Sequence, residues 1–294
     1  MNNSVSWVSQ EVEDLLNEES SKLKRTRESV SRRFGVNDNE IIKEDLGFVA
    51  MPEILSAQYC ALFGNMHLLE ISPPLQAFLS YAISIYDILS DNHLYKNGKP
   101  TFLKTHERDA VLIAEVMYKK VIRELSIELG KNVPGAAKII DKMYYGTIRW
   151  DKIRNSKIVS PSEAFLLQDK LAGEHAYNIA VLSKAKELGG FSSNLINAMT
   201  TLEDLIDLFG GEDFTGTKTT VPIAFLAEEF GYVPEEISTI KKSSAIKKTK
   251  EYVSRQIANC RGVLPLGKAS SKTLLLKIVE DMDNFNKRFP EKYL

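Results

Sequence analysis

Apolar residues recur along this chain at intervals of three and four, and almost nowhere at intervals of two, which is the pattern of amphipathic and buried α-helices. From Val5 to Phe34 charged positions alternate with Val12, Leu15, Leu16 and Leu23 at helical spacing, predicting an amphipathic helix. Met51 to Phe63 reads as an apolar helix closed by Gly64-Asn65. Ser72-Pro73-Pro74 opens the next, because Ser suits an N-cap and Pro the first turn, and it runs to about Asp91. A polar loop with Gly98-Lys99-Pro100 follows, then a helix from Glu107 to Leu129 that ends at Gly130. Val133-Pro134-Gly135 opens another. Pro161-Ser162 starts a long helix that should reach Leu188 and stop at Gly189-Gly190. Ser192 to Phe209 is helical up to Gly210-Gly211, followed by Ile223–Phe230, a basic amphipathic helix from Glu235 and a last helix from about Ser271. The sum is about ten helices with short connections, which predicts an all-α bundle around an apolar cavity, folded as one domain over residues 1–294.

Composition narrows the class. With 294 residues, 44% apolar and 26% charged, the chain is ordinary for a globular protein. A formal net charge of -1 argues against a nucleic-acid binder, which carries a basic excess. No apolar run is long enough for a membrane span, and the N-terminus lacks the apolar core of a signal peptide. Cys60 and Cys260 have no Cys or His neighbours at metal-ligand spacing and read as free thiols of a cytoplasmic protein. His67, His93, His106 and His175 show no spacing that suggests a metal site or a triad. The basic run Lys241, Lys242, Lys247, Lys248 and Lys250 reads as a solvated helix face before it reads as a guide for anions.

Two acidic clusters change the picture. Asp87 and Asp91 are four residues apart at the end of an apolar helix and share one face. Glu203-Asp204-Leu205-Ile206-Asp207 repeats the arrangement on a second apolar helix. Like charges at this spacing repel unless a cation sits between them. Two such clusters read as two walls of an Mg²⁺ site facing a diphosphate, whose charge the ions neutralise as Lewis acids. If that leaving group departs from an allylic carbon, the resulting carbocation needs a dry apolar cavity, which a helical bundle provides. Tyr86, Trp150, Phe78 and Tyr145 are candidates for cation–π contact there, although aromatic residues at helical spacing are more often plain core.

From about Gly47 to Pro222 the chain resembles the trans-isoprenyl diphosphate synthases (polyprenyl synthetases) of the class I terpenoid-synthase fold. The family's first DDxxD motif, followed by an arginine pair and GKPT, corresponds to Asp87-Ile88-Leu89-Ser90-Asp91, Lys96-Asn97 and Gly98-Lys99-Pro100-Thr101. Its second corresponds to Glu203-Asp204-Leu205-Ile206-Asp207, Asp213, Lys218, Thr220 and Pro222, and its Lys-Thr pair to Lys170-Leu171. The resemblance implies an enzyme with several Mg²⁺ ions held by Asp87, Asp91, Glu203, Asp204 and Asp207. It implies a prenyl diphosphate substrate bound by Lys96, Lys170 and Lys218, catalysis through Asp87, Asp91, Lys170 and Lys218, and a homodimer. In the family a bulky aromatic residue four or five positions before the first aspartate shortens the product; Ile83 and Ala82 stand there, with Tyr86 beside Asp87, implying a chain of C15–C20 or longer.

The departures are not scattered at random. The family's basic GKRxRP, which grips isopentenyl diphosphate, has become Gly47-Phe48-Val49-Ala50-Met51-Pro52, without a cation, and the Phe-Gln before the second motif is Met199-Thr200. A charge-assisted hydrogen bond to a diphosphate contributes about 1.5–3 kcal/mol, so losing three or four would cripple a second diphosphate site. The pattern suggests an enzyme that ionises an allylic diphosphate without using isopentenyl diphosphate in the usual way, hence a terpene-synthase-like lyase. The alternatives are a prenyltransferase, for which the family's base rate speaks, and a non-catalytic partner subunit, which would have lost the carboxylates as well.

Overall fold

The helical periodicity is realised almost throughout. The computed structural model describes residues 9–35, 46–90, 95–96, 99–100, 109–156, 159–210, 218–263 and 269–289. They form α1 (Gln10–Phe34), α2 (Leu46–Leu62), α3 (Ser72–Ser90), α4 (Ala110–Met117), α5 (Arg123–Gly130), α6 (Ala136–Arg154), α7 (Pro161–Gln168), α8 (Glu174–Leu182), α9 (Gly189–Gly210), α10 (Val221–Phe230), α11 (Ile237–Lys242), α12 (Ser244–Val263) and α13 (Ala269–Arg288). Wide π turns at Tyr118–Ile122 and Asp169–Gly173 join α4 to α5 and α7 to α8 without a break. The only strands among the described residues form a short antiparallel pairing of β1 (Tyr95–Lys96) with β2 (Lys99–Pro100), in the stretch expected to be a polar loop.

The chain divides into two compact units. The first contains Leu16–Asp151 and Asn178–Gly189. Within it α2 packs along α3, and α3 along α4, the first π turn and α5. Ile54, Leu55, Tyr59, Leu75, Phe78 and Leu79 fill its interior. Phe78, a candidate for cation–π contact, is thus part of the packed core. Ser72 does begin α3, but its hydroxyl lies 2.9 Å from that of Ser56, which in turn lies 2.9 Å from that of Ser183, so it serves a buried hydroxyl relay. α2 starts upstream of the expected Met51 and carries Pro52 within it, so Gly47–Pro52 is helical, with Met51 and Pro52 buried. Deep in the same unit the Arg27 guanidinium pairs with the Glu53 carboxylate, both almost without solvent contact.

The second unit contains Met1–Leu15, Lys152–Tyr177 and Gly190–Leu294. Here α10 packs against α7 and α12, and α12 against α11 and α13. Phe165 of α7 stacks on Tyr252 of α12, with ring centroids 4.6 Å apart and 1° between planes, and meets Phe225 of α10 edge-on at 5.7 Å. α7 begins with a full capping box, the Ser160 hydroxyl and the Glu163 carboxylate each accepting from the other's backbone N–H, with Pro161 at the first helical position.

Two further expected boundaries move. The helix from Pro161 ends at Leu182, not Leu188, because Lys184 turns the backbone to φ 55°. Gly189-Gly190, expected to stop that helix, instead form the first turn of α9. The basic run is also less free than a solvated face: Lys248 pairs with Glu228 at 2.8 Å, and Lys250 donates to the Phe289 carbonyl.

A buried ion pair that loses one partner leaves a desolvated charge behind, at a cost of about 3–5 kcal/mol. Arg27→Leu should therefore lower the urea midpoint strongly. Arg27→Leu/Glu53→Leu should lie closer to wild type than the single variant, and a double variant no more stable than the single one would show that the pair's charge is not what fixes α1 on α2.

Candidate active site

The second acidic cluster occupies the last two turns of α9. Leu202, Leu205 and Leu208 bury one side of that helix, and Glu203, Asp204 and Asp207 stand half-buried on the other. Counting back by helical turns, Asp207, Asp204, Thr200, Asn197 and Ser193 share one stripe, because steps of three and four residues return to the same face. The stripe is polar from end to end.

The second π turn meets this stripe. The Gln168 amide donates to the Thr200 hydroxyl. One carboxylate oxygen of Asp169 accepts from the Ser193 hydroxyl at 3.3 Å and from the Asn197 amide at 3.5 Å. Lys170, inside the π turn, forms an ion pair with Glu174 one turn on; hydrogen bonding to Glu174 raises its pKa, so it is a permanent cation. Lys218 is half-buried immediately before α10, and the next residue, Thr219, anchors the backbone by donating its N–H to the Arg154 carbonyl at 2.9 Å. Tyr252 has its pKa pushed up to about 12, first by burial and then by the negative charge of Asp169, with Asp204 adding to it, so both carboxylates act on one phenol.

The first cluster is placed only in part. Asp87 lies in the last turn of α3, with its side chain outside the described set, and Asp91 lies outside the described residues. Lys96 is in β1, directly opposite Lys99, again without a described side chain. Upstream on α3, Ala82 is fully buried, Ile83 half-buried, and Tyr86 donates to Glu115 at 2.9 Å. Tyr86 belongs to a cluster that the sequence did not reveal. Its ring meets Tyr144 edge-on at 6.0 Å, Tyr144 stacks on Tyr118 at 4.1 Å, and Tyr145 closes the group at 5.0 Å from Tyr144. Tyr144 also donates to Glu115, at 3.4 Å, and Tyr118 donates to Asp141. Burial, followed by their mutual hydrogen bonds, raises the pKa of Tyr144, so its phenol stays a donor at any physiological pH. Gly173 is another residue the sequence could have flagged, since a glycine within a helix costs about 1 kcal/mol relative to alanine and calls for a packing reason.

No group of three or more His, Cys, Asp or Glu among the described residues is placed to hold a metal ion. Mg²⁺ needs no such cage, because it is commonly held by one or two carboxylates together with water and substrate phosphate oxygens. The half-buried carboxylates of α9 are hard oxygen donors, and their chemistry fits that ion.

No family model matches the sequence. No curated protein matches it either. Solved structures do match. A geranylgeranyl pyrophosphate synthetase from Pyrococcus horikoshii Ot3 superposes with a TM-score of 0.71 at 18% identity, over 95% of this chain and 98% of its own. A decaprenyl diphosphate synthase from Rhodobacter capsulatus gives 0.71 at 13% identity, over 94% and 98%. A polyprenyl synthase from Caulobacter crescentus CB15, complexed with calcium and isoprenyl diphosphate, gives 0.70 at 17% identity, over 96% and 98%. The chain therefore has the all-α isoprenoid-synthase fold.

His175, the first residue but one of α8, retains some solvent contact, yet burial of its imidazole lowers its pKa to about 4. The folded state thus holds it neutral, whereas the unfolded chain protonates near the ordinary value of 6.5. Its contribution to stability is whole above about pH 6.5 and is lost as the pH falls toward 4. Urea unfolding of wild type and His175→Gln at pH 7.5 and 5.0 should show a smaller acid loss in the variant. Equal losses would mean that the imidazole titrates normally in the folded protein.

Proposed function

We propose that this chain is an Mg²⁺-dependent isoprenoid enzyme that binds an allylic prenyl diphosphate and promotes departure of its diphosphate. The observation that carries this reading is the polar stripe on α9, ending in Glu203, Asp204 and Asp207, on the fold that the neighbouring structures share. Those neighbours are named as geranylgeranyl, decaprenyl and polyprenyl synthases, which supports an isoprenoid diphosphate as substrate. Bound Mg²⁺ would supply the Lewis acidity that neutralises the departing diphosphate. The chain's own part is to hold that group: Asp87, Asp91, Glu203, Asp204 and Asp207 as oxygen donors, Lys96, Lys170 and Lys218 as cations on the phosphate oxygens. Ala82, Ile83 and Tyr86 are proposed to set how much prenyl chain is accommodated.

The fate of the allylic cation is proposed to be cyclisation or deprotonation, not condensation with isopentenyl diphosphate. The stretch that would grip that second diphosphate has no cation, and its Met51 and Pro52 are buried, so they present no surface to an anion. Prenyl transfer is the second reading, favoured by what the neighbouring structures are named. The chain is further proposed to act as one domain, in the cytoplasm, as a homodimer. Val111, Leu112, Val116 and Ile127 are large apolar side chains left exposed on α4 and α5, as a face covered by a second copy would require.

Incubation with Mg²⁺ and farnesyl or geranylgeranyl diphosphate, with and without isopentenyl diphosphate, should release diphosphate in both cases. Asp87→Ala and Asp207→Ala should each reduce release by about 100-fold or more. Elongation that requires both substrates would replace the lyase reading with prenyl transfer, and no turnover under any pairing would leave the partner-subunit reading. In light scattering the protein should run at twice its 33.1 kDa chain mass and Leu112→Lys as a monomer; a monomeric wild type would remove the dimer from the proposal.

A further inference from the structure

Gly173 is buried in the second π turn, with an ordinary helical backbone, so conformational freedom is not the reason for a glycine there. The reason is space. A Cβ at this position would stand 2.7 Å from the Ser193 hydroxyl and 2.8 Å from the Asn197 amide nitrogen, and would collide with the Asp169 carboxylate. These are the three groups that hydrogen-bond to one another across the gap between the π turn and α9. The missing side chain lets the two segments approach closely enough for that clamp to form. Gln168 adds a second tie through Thr200, one turn further along the stripe.

The clamp is not arranged for stability alone. Asn197 is 4% exposed, and its side-chain oxygen has no hydrogen-bond partner among the described residues. An unmatched buried acceptor is a cost that an apolar residue in its place would avoid. A π turn likewise breaks the regular hydrogen-bond ladder and is often kept at functional positions. What the turn carries, between Asp169 and Gly173, is Lys170.

We propose that Asp169 is a positioning residue: bridged to Ser193 and Asn197 across the open side of Gly173, it fixes the π turn on α9 and so determines where the Lys170 cation is presented. The inference rests on the reading that Lys170 grips an anionic diphosphate. Asp169 acts as a hydrogen-bond acceptor in this role, so asparagine, which keeps an acceptor oxygen of the same reach, preserves it and alanine does not. Gly173→Ala breaks the clamp from the other side by displacing all three partners.

The test has one arm without ligand and one with it. In amide hydrogen exchange of the ligand-free protein, the 166–174 segment should exchange about tenfold faster or more in Asp169→Ala and Gly173→Ala, while α12 peptides keep their wild-type rates. Asp169→Asn should leave both unchanged. In titration calorimetry with Mg²⁺ and inorganic diphosphate, Asp169→Ala should bind about tenfold more weakly than wild type, the loss expected for one misplaced charge-assisted bond, and Asp169→Asn should bind as wild type does. Unchanged exchange in Asp169→Ala overturns the clamp. Faster exchange with unchanged affinity overturns the positioning role, and failure of asparagine to restore affinity shows that charge, not the hydrogen bond, was the agent. A wild type that binds no diphosphate, with the exchange differences intact, overturns the diphosphate reading and the positioning role with it.

Discussion

The helix that carries the second acidic cluster has no exposed residue between positions 191 and 209, and this constraint governs much of the second unit. A helix enclosed in this way is expected to be apolar all round. α9 instead presents a stripe of Ser193, Asn197, Thr200, Asp204 and Asp207, and repulsion between carboxylates strengthens as their surroundings become less aqueous. Everything that touches the stripe must supply hydrogen bonds. This is why α7 ends in Gln168 and Asp169, why the chain widens into a π turn there, and why a glycine, which weakens a helix, stands at 173. A sequence selected only for stability would have made this face leucine. Local features that oppose stability and share one face point to chemistry as their reason.

What was legible in the sequence follows from what burial enforces. Helix existence was readable from spacing because each helix must turn an apolar side inward, and the free thiols were readable because neither cysteine had a partner in range. Both thiols are buried, and burial pushes Cys60 up to about 11 and Cys260 up to about 12, which keeps them protonated and unreactive. Boundaries were less legible. Gly189-Gly190 carries the same letters as a helix stop, and only the turn made by Lys184 upstream frees it to start α9. Pro52 argues against a helix interior, but the apolar positions of α2 that pack on α3 outweigh it.

The π turns were invisible for a different reason. Each inserts one residue into an otherwise continuous helix, a slip of one position that stays within the scatter of an apolar pattern, so Tyr118–Ile122 and Asp169–Gly173 read as continuous helix. Pairings at long range were equally hidden: nothing near Arg27 announces Glu53, and nothing near Tyr86 announces Glu115 and Tyr144. The acidic clusters could be read because their spacing is local. The groups that support them could not, because they arrive from other helices.

The choice between releasing a cation to itself and transferring it to a second diphosphate depends on this distinction between local letters and their surroundings. The lack of basic residues at 47–52 could be offset only by cations arriving from elsewhere, as Gln168 brings an amide to Thr200 from another helix. At Gly47–Pro52 the surroundings argue against such an exchange. A surface that binds a dianion must remain wet or lined with donors, whereas Met51 and Pro52 are packed within α2 and the pyrrolidine of Pro52 removes a backbone donor as well. Met51 and Pro52 are buried, and buried apolar side chains have no means of recovering a diphosphate site from their neighbours. The chemical contrast between an acidic stripe kept at a cost on α9 and buried Met51 and Pro52 where a cation would be needed is what supports the proposal of ionisation without condensation.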